Sequence, residues 1–238
     1  MRFKSGSEGK VKLLFLTILI QGFSGLARFG KSKSSFWKNL SDIVSYRCYI
    51  ESLFPSEKLK WRRESLFNFI FKSITSKEVC VYEYGVAHGF LAAYSLPKFD
   101  KQIHCWNGFD TFTGLPEPWR ELPENYFDNG GIPPYIPDSR VIWHKGLVQE
   151  TLNDRFFLNS TRTSFHIFDL DLFEPSLFVW QTIRDFLRAG DILYFDEAFD
   201  DAERSLIHKY VLPFGKFRYL GSTITSLAIE YLGKYDNR

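Results

Sequence analysis

Five places along this 238-residue chain gather residues able to bind or transfer a polar or charged group: Glu83-Tyr84-Gly85-Val86-Ala87-His88-Gly89, then Asp110, then Lys145-Gly146-Leu147-Val148-Gln149, then Asp169-Leu170-Asp171, then Asp196-Glu197. In the first, Gly85 can take backbone angles closed to other residues and lets a ligand approach the main chain, while Gly89 opens a helix packed closely on the preceding segment. The spacing is not GxGxxG. Ala87 stands where the dinucleotide fingerprint has its middle glycine, so a ligand without phosphates is easier to seat there. Glu83 is placed beneath the turn to hold the loop or an ammonium group; the same residues also read as a plain strand-to-helix connection. Asp110, 25 residues beyond Gly85, suits a two-pronged grip on ribose hydroxyls, because a carboxylate accepts several hydrogen bonds. Gly146 offers a surface against which a flat base can lie, and Gln149 an amide that can read its edge.

These residues need a scaffold that delivers them to one edge. Hydrophobic runs of strand length alternate with helix-period segments from about residue 59 onward. Strands are expected at Val79–Tyr84, Gln102–Phe109, Val141–His144, Ser164–Leu170 and Asp191–Asp196, with two final strands between Phe217 and Leu232 joined near Thr223. Helices are expected at Gly89–Leu96, Thr151–Leu158, Pro175–Ala189 and Ala202–Leu212, with Gly190 as a left-handed terminator. Such alternation predicts an α/β fold: a Rossmann-like, doubly wound, mostly parallel sheet of seven strands with the last one antiparallel. Sheets of this kind bind ligands at the carboxyl ends of their strands. All five polar groups fall just after a strand.

Composition narrows the class without choosing a function. With 45% hydrophobic, 24% charged and 18% aromatic residues, the chain is neither disordered nor collagenous, and its length encloses one large core. Cys48, Cys80 and Cys105 are scattered, which fits a reducing compartment and no zinc cluster. The net charge of +2 divides unevenly: through Leu40 there are eight basic residues and one acid, +7, leaving −5 for the remainder. A negative body with its aromatics inside the elements is a poor nucleic-acid binder. The expected division is a basic N-terminal helical extension, 1–58, and a catalytic domain, 59–238. The extension's apolar run, Leu13 to Ile20, is far shorter than a membrane span requires. It reads as a secretory signal, as a helix contacting a membrane surface through residues 10–30, or as a helix docked on the body or on a second copy of the chain.

Four segments together resemble a known family. They are Val81-Tyr82-Glu83-Tyr84-Gly85-Val86-Ala87-His88-Gly89, Gly108-Phe109-Asp110-Thr111-Phe112-Thr113-Gly114-Leu115-Pro116-Glu117-Pro118, His144-Lys145-Gly146, and Asp169-Leu170-Asp171-Leu172-Phe173-Glu174-Pro175. In this order they are similar to the class I S-adenosylmethionine methyltransferases of the macrocin (TylF-type) O-methyltransferase family, over roughly residues 75 to 232. The resemblance implies that Glu83, Gly85 and Gly89 face the methionine part of S-adenosylmethionine, Asp110 the ribose, and Gly146 with Gln149 the adenine. It also implies a divalent cation, magnesium in the first instance, on Asp169, Asp196 and Glu197. There the chain departs from the pattern: Asp196-Glu197-Ala198-Phe199 stands where the family has two aspartates, an aromatic and a glycine.

The implied reaction is an in-line displacement on a hydroxyl of a sugar or glycosylated small molecule, which needs the oxygen close to the methyl carbon and partly deprotonated. A hard cation would lower the pKa of a coordinated hydroxyl and orient it. Asp171, or Asp169, is the expected proton acceptor; His104 and His166 lie inside strands and read as core or edge residues. The insertion Trp119 to Arg140, rich in Pro, Gly and aromatics, reads as a loop that closes over the acceptor or as an ordered surface loop. Two other classes share part of this evidence. A glycosyltransferase would use Asp169-Leu170-Asp171 as a DxD motif but leaves the glycine turn and Asp110 without a task, and a non-catalytic protein could retain the fold. A cofactor made in the cytoplasm favours a cytoplasmic protein, peripheral at a membrane if the leader lies on one.

Overall fold

All six residues of β1 (Val79–Tyr84) are buried, the pattern of a strand covered on both faces. Successive side chains point to opposite faces of a sheet. Val79 and Val81 therefore enter one hydrophobic cluster with Leu66, Phe67, Ile70, Leu91 and Ala92, whereas Cys80, Tyr82 and Tyr84 enter another with Ile43, Tyr46, Ile50, Val179 and Trp180. The computed structural model describes residues 33–54, 59–60, 62–74, 78–158 and 160–235. The leader with its run Leu13 to Ile20, and the proposed membrane contact at 10–30, lie outside the described residues.

β1 pairs in parallel with β2 (Ile103–Asp110) and with β4 (Thr163–Phe168), so that Tyr84 stands level with Phe109 and Phe168. β2 in turn pairs with β3 (Val141–Lys145), and β4 with β5 (Ile192–Phe195). β7 (Leu227–Gly233) inserts antiparallel between β5 and β6 (Lys216–Ser222). The resulting seven-stranded order, β3-β2-β1-β4-β5-β7-β6, is the doubly wound sheet expected from the sequence. It reverses direction between β1 and β4, and the crevice at their carboxyl ends is where such sheets take ligands.

Helices α1 (Lys33–Leu53) and α2 (Arg63–Ser73) precede the sheet, and α3 (Phe90–Ser95) follows β1. α1 belongs by sequence to the extension, yet Ile43, Tyr46 and Ile50 pack into the same cluster as β1, β4 and β5. Three helices differ from expectation. In place of Thr151–Leu158 there is one turn, α4 (Val148–Thr151), and a short 3-10 segment at Asp154–Phe156, because Asn153 is extended and its side chain accepts the Arg155 N–H. α5 (Phe173–Ile183) starts two residues earlier than Pro175, since proline is tolerated in a first helical turn. α6 (Asp201–Leu206), capped by the Asp200 carboxylate on Ala202 N, passes into a wider π turn at Ile207–Val211. Among the described residues no helix is long and apolar enough to cross a membrane.

Candidate active site

Gly85 is where the two flanks of the crevice meet. It has φ +86, and a Cβ there would lie 1.8 Å from the main-chain oxygen of Asp169, so the turn after β1 is pressed against the end of β4. Gly89 has φ +70, and a Cβ on it would meet Pro134 at 2.8 Å. The insertion thus lies over the start of α3.

Asp110 holds the turn from the other side. One of its oxygens accepts Val86 N at 2.7 Å and Ala87 N at 2.8 Å, and the other accepts Phe112 N at 2.7 Å. Of roughly four lone-pair sites on a carboxylate, three are engaged by the chain itself. Glu83 is fully buried and accepts the Trp106 indole N–H at 2.7 Å. Burial pushes its carboxyl up to about 8, against the lowering effect of the Trp106 bond. Gly146 donates to the Asp110 main-chain oxygen at 3.0 Å, and Gln149 lies exposed on α4.

The β4 and β5 ends carry a different arrangement. Asp169, Asp171, Asp196 and Glu197 converge there with Asp200 and the buried Glu203. Arg63, the first residue of α2, reaches into this group. Its Nη2 donates to Asp169 Oδ2 at 2.5 Å and its Nε lies 3.1 Å from Asp196 Oδ1, close but not aligned as a hydrogen bond. Tyr194 donates its hydroxyl to the same Asp196 oxygen. Burial, then Asp196, push Asp169 up to about 7 despite Arg63, and burial raises Asp171, Glu197 and Glu203 well above the carboxylate range. Asp171 also takes a left-handed backbone, φ +62, which aspartate tolerates better than most residues.

A divalent cation on Asp169, Asp196 and Glu197 does not fit this arrangement. Among the described residues no three His, Cys, Asp or Glu side chains are grouped as metal ligands would be. Arg63 fills the space between Asp169 and Asp196, and Glu197 Oε2 is buried with no hydrogen bond among the described residues, while the Glu197 main-chain N–H donates to Glu203 Oε2 at 3.0 Å.

A second arginine ties the insertion to this flank. Arg120 donates to Asp200 at 2.7 Å and to Asn39 of α1 at 2.5 Å, approaches Asp42 at 3.4 Å, and lies 4.4 Å from the Phe199 ring centre. Of the insertion's aromatics, Tyr126 and Phe127 pack edge to face at 4.7 Å, and Tyr135 is 88% exposed. Three of the histidines have side-chain partners of their own. His166 is buried, with Nδ1 3.0 Å from the Tyr84 hydroxyl, and burial pushes it down to about 3; His144 pairs with Asn107, and His88 with Asn129.

Sequence reasoning missed Arg63 and Arg120. Arg63 offered one signal: a cation in the first turn of a helix opposes the helix dipole, so its side chain is better used elsewhere. Arg120 offered none, since its partners are 78 to 81 residues away.

No protein-family model matches the sequence, and no curated protein matches it. Solved structures do. CalS11, a calicheamicin methyltransferase, matches with TM-score 0.51 and 18% identity over 96% of this chain and 94% of its own. A further structure of CalS11, without ligand, describes it as a TDP-rhamnose 3'-O-methyltransferase and matches at TM-score 0.46, with 17% identity over 97% and 96%. The O-methyltransferase NovP matches with TM-score 0.50 and 12% identity over 81% of this chain and all of its own. At these identities the likeness extends to the backbone architecture: this chain has the fold of class I methyltransferases.

Proposed function

We propose that the chain is an S-adenosylmethionine-dependent O-methyltransferase acting on a hydroxyl of a sugar or glycosylated small molecule, of the macrocin type. The observation that carries this reading is the crevice between β1 and β4, with a glycine turn tied by Asp110 on one flank and an acid cluster on the other. The residues suit this cofactor by their chemistry. Acids outnumber the arginine, Arg63, that reaches among them at the crevice, which favours a sulfonium cation over a phosphate. Glu83, Gly85 and Gly89 would lie at its methionine part, Asp110 at the ribose through its remaining lone pair, and Gly146 with Gln149 at the adenine. The bound cofactor supplies an electrophilic methyl group. A carboxylate of this chain would take the proton of the acceptor hydroxyl as the methyl is transferred. Asp169, pushed up to about 7, is suited to accept it at neutral pH, with Asp171 behind it. A saccharide acceptor accords with the rhamnose named for CalS11.

Calorimetric titration with S-adenosylmethionine tests the reading directly. Binding is expected for the native chain, with a loss of at least about tenfold for Asp110→Ala. Preference for a UDP or GDP sugar would replace this reading with the glycosyltransferase one.

A further inference from the structure

We infer that the guanidinium of Arg63 stands where a divalent cation would otherwise be held, and that this chain positions its acceptor hydroxyl without a metal. Three features of the side chain support this. Its Nη2 and Nε face Asp169 and Asp196, the two carboxylates expected as metal ligands, at 2.5 and 3.1 Å. Among the described residues no hydrogen bond engages its Nη1, and the side chain is 32% exposed, so the two N–H donors of Nη1 remain for an oxygen entering the crevice. Its origin is fixed, because Leu66, Phe67, Ile70 and Phe71 of the same helix are buried in the core.

A guanidinium does part of a cation's work. It neutralises the facing carboxylates, as a planar fork matched to their geometry, and it orients an incoming oxygen by a charged hydrogen bond. It is a weaker acid-strengthening agent than a metal ion, which leaves deprotonation of the hydroxyl to a carboxylate. The altered sequence at Glu197 agrees: with the cation supplied by α2, a second aspartate is no longer required at that place.

The role in orienting an acceptor rests on the methyltransferase reading, but the occupation of the cation's place does not. Manganese alone, titrated by calorimetry or by its electron spin resonance signal, tests it without cofactor or acceptor. The native chain and Arg63→Lys should bind Mn2+ weakly, and Arg63→Ala at least about tenfold more tightly, since two facing carboxylates lose their cation. Native binding in the micromolar range, or no gain in either Arg63→Ala or Arg63→Ser, would overturn the inference. Where methyl transfer is measurable, EDTA should leave it unchanged in the native chain. Failure to bind S-adenosylmethionine would remove the functional reading while the manganese result still stood.

Discussion

Two flanks of one crevice use carboxylates in opposite ways. On the β1–β2 flank a single carboxylate, Asp110, meets three neutral backbone N–H groups that the turn must satisfy anyway. On the β4–β5 flank several carboxylates crowd around one guanidinium, and four of them have their ionisation pushed upward, chiefly by burial. The first arrangement ties the turn together and leaves one lone pair open. The second is incomplete in charge, the condition expected of a surface that binds a cation or moves a proton rather than one that holds a fold.

Gly85 joins the flanks, so altering it should break both. Gly85→Ala places a methyl 1.8 Å from a main-chain oxygen and forces a left-handed backbone on a residue with a side chain. A loss on the order of 5 kcal/mol is expected by denaturant unfolding, at the extreme of single substitutions. A loss below about 1 kcal/mol would mean that the flanks are not pressed together.

Next in size is Arg120→Ala, which should damage only the second flank. Its side chain is 10% exposed, and removing it takes the cation from Asp200 and releases the hold on α1 through Asn39. Breaking a buried charged pair by removing one partner costs about 3 to 4 kcal/mol. Protease nicking near the start of α1 should rise with it, and unchanged resistance would show that α1 is held by its apolar face alone.

Glu83 lies beneath the turn and senses both flanks, since Asp169 and Asp110 raise its carboxyl and Arg63 lowers it, after burial itself. Its folded value of about 8 exceeds the ordinary glutamate value of 4.5, so the folded chain binds the extra proton between those values. Stability from this group is therefore full below about 4.5 and is lost as pH rises through 8. Glu83→Gln keeps an oxygen for the Trp106 N–H and removes the titration. It should be more stable than the native chain by about 3 kcal/mol at pH 7 and equal to it at pH 4, read from denaturant midpoints. A pH-independent difference would place Glu83 in a solvated setting.

The same contrast explains what could be read from sequence. Strand periodicity placed β1, β2, β4 and β5 because burial of continuous apolar runs is a local property. The Gly85 turn was equally legible, since the residue type answers to a backbone need. The ribose role assigned to Asp110 passed over its backbone duty, because which N–H groups face a carboxylate depends on how two strand ends meet. Arg63 reaches Asp169 across 106 residues, and no local pattern encodes that approach. The helix after β3 was overextended because Asn153 caps a new turn, a competition between side chain and main chain that apolar spacing does not register.

The smallest expected effect separates the two kinds of carboxylate most cleanly. Asp110→Asn retains the shape of the side chain but offers one carbonyl oxygen in place of two, and its amide nitrogen turns a donor toward a backbone donor. The amide can satisfy either the Val86 and Ala87 pair or Phe112, not both, which should cost about 1 to 2 kcal/mol. Because the partners are neutral N–H groups rather than a guanidinium, the cost should vary little between 0.1 and about 1 M salt. Asp196→Asn on the other flank removes a charge that faces Arg63, so its effect on the unfolding midpoint should shift over the same salt range. Equal salt responses in the two variants would erase the distinction, and would mean that Asp110 too is held by charge and that its backbone bonds give way in solution.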